Sequence, residues 1–119
     1  MIHSAEFLEI VNDAKSRIRE VTVDETQQRM NDGAILIDVR EDNEFEKAHA
    51  KHARHLGRGV IERDIVGEVP DKNAELILYC GGGYRSALAA DNLQKMGYTN
   101  VASMAGGFRA WKNEGLPTS

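Results

Sequence analysis

A chain of 119 residues with 41% hydrophobic and 29% charged side chains has room for one compact domain, and its balance excludes fibrous, low-complexity and disordered classes. Fifteen basic against nineteen acidic residues leave a formal charge of −4, which argues against nucleic acid or an anionic membrane as the main partner. No apolar run reaches the length of a membrane span, and the charged N-terminus lacks the order of a secretory signal, so a cytoplasmic protein is expected.

In chain order, Phe7, Leu8, Ile10, Val11, Ala14, Ile18 and Val21 recur at helical spacing in a charged background. They predict an amphipathic helix from Ser4 to about Arg19, so that residues 1–19 form a helical segment packed on a domain of residues 20–119. Thr22 and Glu25 are spaced as a capping box for a short helix that stops at Gly33. The run "AILIDV" (Ala34 to Val39) then reads as a central parallel strand with polar Asp38 and Arg40 at its carboxyl end. "ELILYC" (Glu75 to Cys80) reads the same way. Ser86 to Met96 is helical, with Ala87, Ala90 and Leu93 on an apolar face and Gly97 as its stop. "NVASM" is a further strand, Gly106 and Gly107 make a turn, and "FRAWKNE" is a last helix closed by Gly115 and Pro117. Alternating strands and helices predict an α/β domain of three layers, with a mainly parallel central sheet flanked by helices. Trp111, at helical spacing from Phe108, is expected in the core rather than as a substrate platform.

Cys80 is the chain's single cysteine, so it is a buried apolar filler, a partner in an intermolecular bond or a reactive thiol. It stands at the carboxyl end of a strand, where ligands of open α/β sheets gather. The glycines that follow, Gly81, Gly82 and Gly83, can take backbone angles other residues avoid and turn successive amides inward as an anion-binding nest. Tyr84, Arg85 and Ser86 lead into a helix whose N-terminus favours negative charge. Such a setting brings a free cysteine from near pH 8.5 to roughly 3.5–7.5, which makes Cys80 a nucleophile.

Cys80, Gly83, Arg85 and Ser86 also fill the pattern C-x-x-G-x-R-S, and in this the chain resembles the single-domain rhodaneses. "LIDVREDNEF" (Leu36 to Phe45) is similar to that family's first signature and "VASMAGGFRAWKNEGLP" (Val101 to Pro117) to its closing one. One departure lies between Lys47 and Leu56, where Ala48, Lys51 and His52 stand at the family's glycine and proline places. The resemblance implies a rhodanese domain over residues 20–119 that moves sulfane sulfur. The Cys80 thiolate would attack a small anionic donor such as thiosulfate, hold one sulfur as a persulfide, and pass it to cyanide, a thiol or a protein acceptor. It implies no metal or organic cofactor. His49, His52 and His55, spaced by threes beside Lys and Arg, read as solvated surface rather than ligands.

Arg85 has two readings: it binds the anionic donor, or it turns inward and pairs with Asp38 or Glu44. Arg58 is either at the pocket mouth or a solvated charge, and Asp38 and Arg40 are expected as structural support near the site. Two rival functions remain. A cysteine phosphatase or arsenate reductase on the same fold uses C-x5-R, whereas four residues separate Cys80 from Arg85, one short of that loop. A persulfide carrier or partner-binding module would keep the fold and show little free thiosulfate activity.

Overall fold

The computed structural model describes residues 3–119, so Met1 and Ile2 of the expected N-terminal segment lie outside the described residues. Strands run at Arg19–Val21 (β1), Ile35–Asp38 (β2), Arg54–His55 (β3), Leu76–Tyr79 (β4) and Val101–Met104 (β5). Helices run at Ala5–Lys15 (α1), Val23–Asn31 (α2), Asp42–Lys47 (α3), Ile61–Glu68 (α4), Tyr84–Lys95 (α5) and Gly107–Asn113 (α6). The strands form one sheet in the order β1-β5-β4-β2-β3, and every pairing is parallel.

Two-residue alternation along the strands makes the three layers. Ile37, Leu76, Leu78 and Cys80 point to one face and pack on Ile61 and Ile65 of α4 and Ala89, Ala90 and Leu93 of α5. Leu36, Ile77, Tyr79, Ala102 and Met104 point to the other, against Val23 at the start of α2 and Phe108 and Trp111 of α6. Trp111 is in this second core, with its indole Nε1 donating to the Pro117 carbonyl at 2.8 Å. The α2 capping box forms as spaced, Glu25 N–H donating to Thr22 Oγ1 at 3.1 Å and Thr22 N–H to Glu25 Oε1 at 2.9 Å. No helix among the described residues is long and apolar enough to cross a membrane.

The N-terminal helix is shorter than its periodicity suggests. It ends at Lys15, because Arg19, Glu20 and Val21 leave helical geometry to pair with Ala102, Ser103 and Met104 at the free edge of β5. Helix α1 docks on α5 through buried Val11 and Ala14, and just past its end Arg17 forks onto Asp91 at 2.7 and 2.9 Å. Strands β1 and β3 and helices α3 and α4 leave no periodic signal in the sequence, since each is too short to build one; α4 buries only Ile61 and Ile65.

The segment with the departures from the family pattern is distinctive. His52 has φ 72°, the left-handed region natural to the glycine whose place it takes. His49 and His55, expected as solvated surface, are half-buried and stack on Phe45 with ring centroids 3.7 and 4.5 Å away. Their ring nitrogens lie 2.9 Å from the Phe45 carbonyl and 2.8 Å from the Arg40 carbonyl, respectively. Among the described residues no group of His, Cys, Asp and Glu is arranged to hold a metal ion.

Candidate active site

Cys80 follows β4 directly and is 1% exposed, its side chain on the α5 face of the sheet. Gly83 is the N-cap of α5 with φ 100°, and this left-handed turn brings its N–H to 3.0 Å from Cys80 Sγ. Ser86 Oγ lies 3.5 Å from the sulfur and 2.8 Å from Ser103 Oγ of β5, all three side chains being buried. A thiolate can only accept, so Ser86 donates to it and in turn accepts from Ser103. Burial raises the Cys80 thiol, but hydrogen bonds from the Ser86 hydroxyl and from the amides of Ser86, Gly82 and Gly83 outweigh that cost. The thiol titrates below its ordinary value.

Two expectations about this loop need correction. Helix α5 begins at Tyr84, two residues before Ser86, so Tyr84, Arg85 and Ser86 are its first turn. Of the three glycines only Gly83 has a left-handed φ; Gly81 and Gly82 do not, and a side chain at Gly82 would meet Tyr84 at 3.6 Å in ordinary contact. The loop therefore needs its glycine conformation at the residue that donates to sulfur.

Helix α6 supports the loop from the other side. Phe108 N–H donates to the Cys80 carbonyl at 2.7 Å and Arg109 N–H to the Gly81 carbonyl at 3.2 Å. So close an approach requires the glycine at Gly107, with φ 56°: a Cβ there would collide with the Cys80 carbonyl and come within 2.7 Å of the Gly81 carbonyl carbon.

The acidic and basic candidates separate into three places. Arg85 pairs with Glu44 of α3, Nη1 to Oε1 at 3.0 Å and Nη2 to Oε2 at 3.3 Å, each side chain 34% exposed. That fork is the main cause holding the Glu44 carboxyl below its usual range. Asp38 lies elsewhere, buried behind the sheet with Arg40, whose Nη2 reaches Oδ2 at 2.8 Å and whose guanidinium sits 4.3 Å from the Phe108 ring centroid. Their side chains face away from that of Cys80, because residue 38 shares its face with Leu36 and Tyr79 and not with Ile37 and Leu78. Arg58 donates to Glu62 Oε2 at 2.9 Å, which Asn92 of α5 also reaches at 2.8 Å, and it does not line the cysteine cleft.

That cleft, of about 810 Å³, is lined by Cys80, Gly81, Gly82, Tyr84 and Arg85, with Glu44 on one side. Sequence reasoning missed the rest of its wall: His3, Ser4 and Phe7 from the N-terminal segment, and Arg109 from α6. His3 and Phe7 gather on Tyr84, with ring centroids 4.6 and 6.2 Å from it. A second cavity, of about 550 Å³, opens near the amino end of β2 beside Ala34, His52 and Trp111, and none of the candidate site residues lines it.

A family model described as a rhodanese-like domain matches residues 22–114. The thiosulfate sulfurtransferase GlpE of Haemophilus influenzae is 35% identical over 100 residues, which cover 83% of this chain and 92% of that protein. The polysulfide-sulfur transferase homodimer of Wolinella succinogenes superposes with a TM-score of 0.83 at 26% identity, covering 97% of this chain and 88% of that one. A Rhodopseudomonas palustris protein of unknown function, described as a possible tyrosine phosphatase, superposes with a TM-score of 0.82 at 27% identity, covering 100% and 99%.

Proposed function

This chain belongs to the rhodanese-like domain family, and from that premise we propose that it is a sulfurtransferase whose covalent carrier is Cys80. The observation that carries the reading is the Gly83 N–H at 3.0 Å from a sulfur whose thiol is stabilised as thiolate in spite of burial. In the first half-reaction the thiolate attacks the sulfane sulfur of thiosulfate. A Cys80–sulfur bond forms, the bond to the sulfonate sulfur breaks, and sulfite leaves with the electron pair. The outer persulfide sulfur is then an anion, which the amides of the loop stabilise as an oxyanion hole stabilises oxygen. In the second half-reaction cyanide or a thiolate attacks that outer sulfur and Cys80 leaves as thiolate. Both steps take place at one face of the loop and require no cofactor. A cytoplasmic setting, where thiols stay reduced, suits this cycle.

The test is formation of thiocyanate from thiosulfate and cyanide, lost in Cys80→Ser while that variant keeps the unfolding midpoint of a folded domain. A variant that retains turnover removes Cys80 from the mechanism. A folded wild type that forms persulfide from a partner enzyme but turns over thiosulfate slowly is a carrier. The phosphatase reading has the Rhodopseudomonas palustris relative in its favour, but two features oppose it. The loop has four residues between Cys80 and Arg85, and the arginine that would clasp a phosphate is already forked on Glu44. Orthovanadate-sensitive turnover of an aryl phosphate would reverse that judgement.

A further inference from the structure

We propose that Arg109 is the cation that receives the anionic sulfur donor at Cys80, a role that rests on the sulfurtransferase reading above. Two arginines line the cleft, Arg85 and Arg109. The Arg85 guanidinium spends both outer nitrogens on the two oxygens of Glu44, so its charge is matched and its fork is occupied. Arg109 forms no ion pair among the described residues and is exposed. Its Nη1 lies 3.8 Å from where a Cβ on Gly82 would stand, which places the guanidinium over the loop that holds the sulfur.

The residue is also fixed where it is needed. Its own N–H donates to the Gly81 carbonyl at 3.2 Å, and Phe108 beside it donates to the Cys80 carbonyl at 2.7 Å. The base of the side chain is therefore tied to the nucleophile's loop, while its planar fork is free for the oxygens of a sulfonate. In the transfer step those oxygens remain on the departing sulfite, whose negative charge grows as the sulfur–sulfur bond breaks. A guanidinium held over Gly82 attracts the donor and stabilises the leaving group, and the electron pair leaves with sulfite while Cys80 keeps the sulfane sulfur.

The experiment separates this role from the sulfurtransferase reading by using alkylating agents that need no sulfur chemistry. Iodoacetate and iodoacetamide attack the same Cys80 and differ in charge. In Arg109→Gln the ratio of their rates should fall about tenfold, the worth of one charge-assisted hydrogen-bonded contact, and Arg109→Lys should recover part of it. The KM for thiosulfate should rise by a similar factor, and the sulfite-releasing half-reaction should slow as well, because the contact strengthens as charge grows on the leaving group. A structural defect would slow both alkylating agents alike, so an unchanged ratio in Arg109→Gln overturns the proposal whatever the turnover shows. A ratio that falls in a protein forming no persulfide from thiosulfate keeps Arg109 as the anion-receiving group and overturns the sulfurtransferase reading instead.

Discussion

Replacing Gly107 by alanine tests how the active loop is held, because three structural consequences can be weighed separately. The residue has φ 56°, a conformation that costs an alanine about 1 kcal/mol more than a glycine. Its new Cβ would collide with the Cys80 carbonyl oxygen and stand 2.8 Å from that of Gly81, so α6 and the loop must part by roughly one ångström. That separation weakens the bonds from Phe108 N–H to Cys80 and from Arg109 N–H to Gly81, now 2.7 and 3.2 Å, at about 1 kcal/mol each. The total, about 3 kcal/mol, should lower the thermal midpoint by roughly 10 °C in a domain of this size. Gly115→Ala is the control: with φ 70° and nothing within 4 Å of its Cβ, it incurs the conformational cost alone, about 1 kcal/mol. The assay is thermal unfolding of both variants, paired with the iodoacetamide rate at Cys80. Equal losses in the two variants, with an unchanged Cys80 rate in Gly107→Ala, would refute the claim that α6 braces the catalytic loop.

Three further outcomes follow from named contacts. Arg85→Ala should cost about 1 kcal/mol rather than the roughly 3–5 kcal/mol of a buried pair, because Glu44 is 34% exposed and water replaces the fork; a denaturation midpoint showing the larger loss would mean the pair is drier than it looks. Ser86→Ala removes a donor to the thiolate, so the pH midpoint of Cys80 alkylation should rise by about one pH unit; no rise would remove the Ser103–Ser86–Cys80 chain from the account. The sign carries over to stability: folding lowers the Cys80 pKa, so relative to Cys80→Ser the wild type gains stability as pH rises from the folded value toward that of a free thiol, and loses that gain as pH falls through the folded value. His52→Gly, at φ 72°, should raise stability by about 0.5–1 kcal/mol, as the strain relieved exceeds the added chain entropy; a destabilised variant would show that the imidazole makes a contact worth more than that strain.

The cysteine loop was legible in the sequence because its chemistry is local: the nucleophile, the turn glycine and Ser86 lie within seven residues of one another. The Thr22–Glu25 cap and the apolar runs of β2 and β4 were legible for the same reason. What adjacent letters could not tell was which of three glycines turns left-handed, since that depends on how Gly83 meets α5. Nor could they choose between Asp38 and Glu44 as the partner of Arg85. The choice follows from strand parity, which turns Asp38 behind the sheet, and from α3, a helix too short to announce itself. Phe7, Ser103 and Arg109 reach the site from three separate elements, and only the packing of α1, β5 and α6 around the loop brings them there. Arg109 had one signal in the sequence, its place directly after the Gly106-Gly107-Phe108 turn, but nothing in that signal says the turn abuts Cys80.

The most direct measurement of the central claim is the intact mass of the protein after incubation with thiosulfate, and again after cyanide is added. Covalent transfer through Cys80 predicts a gain of one sulfur atom in the first spectrum and its loss in the second, with neither change in Cys80→Ser. A wild-type mass unmoved by saturating thiosulfate, or a sulfur adduct that survives in Cys80→Ser, would contradict it.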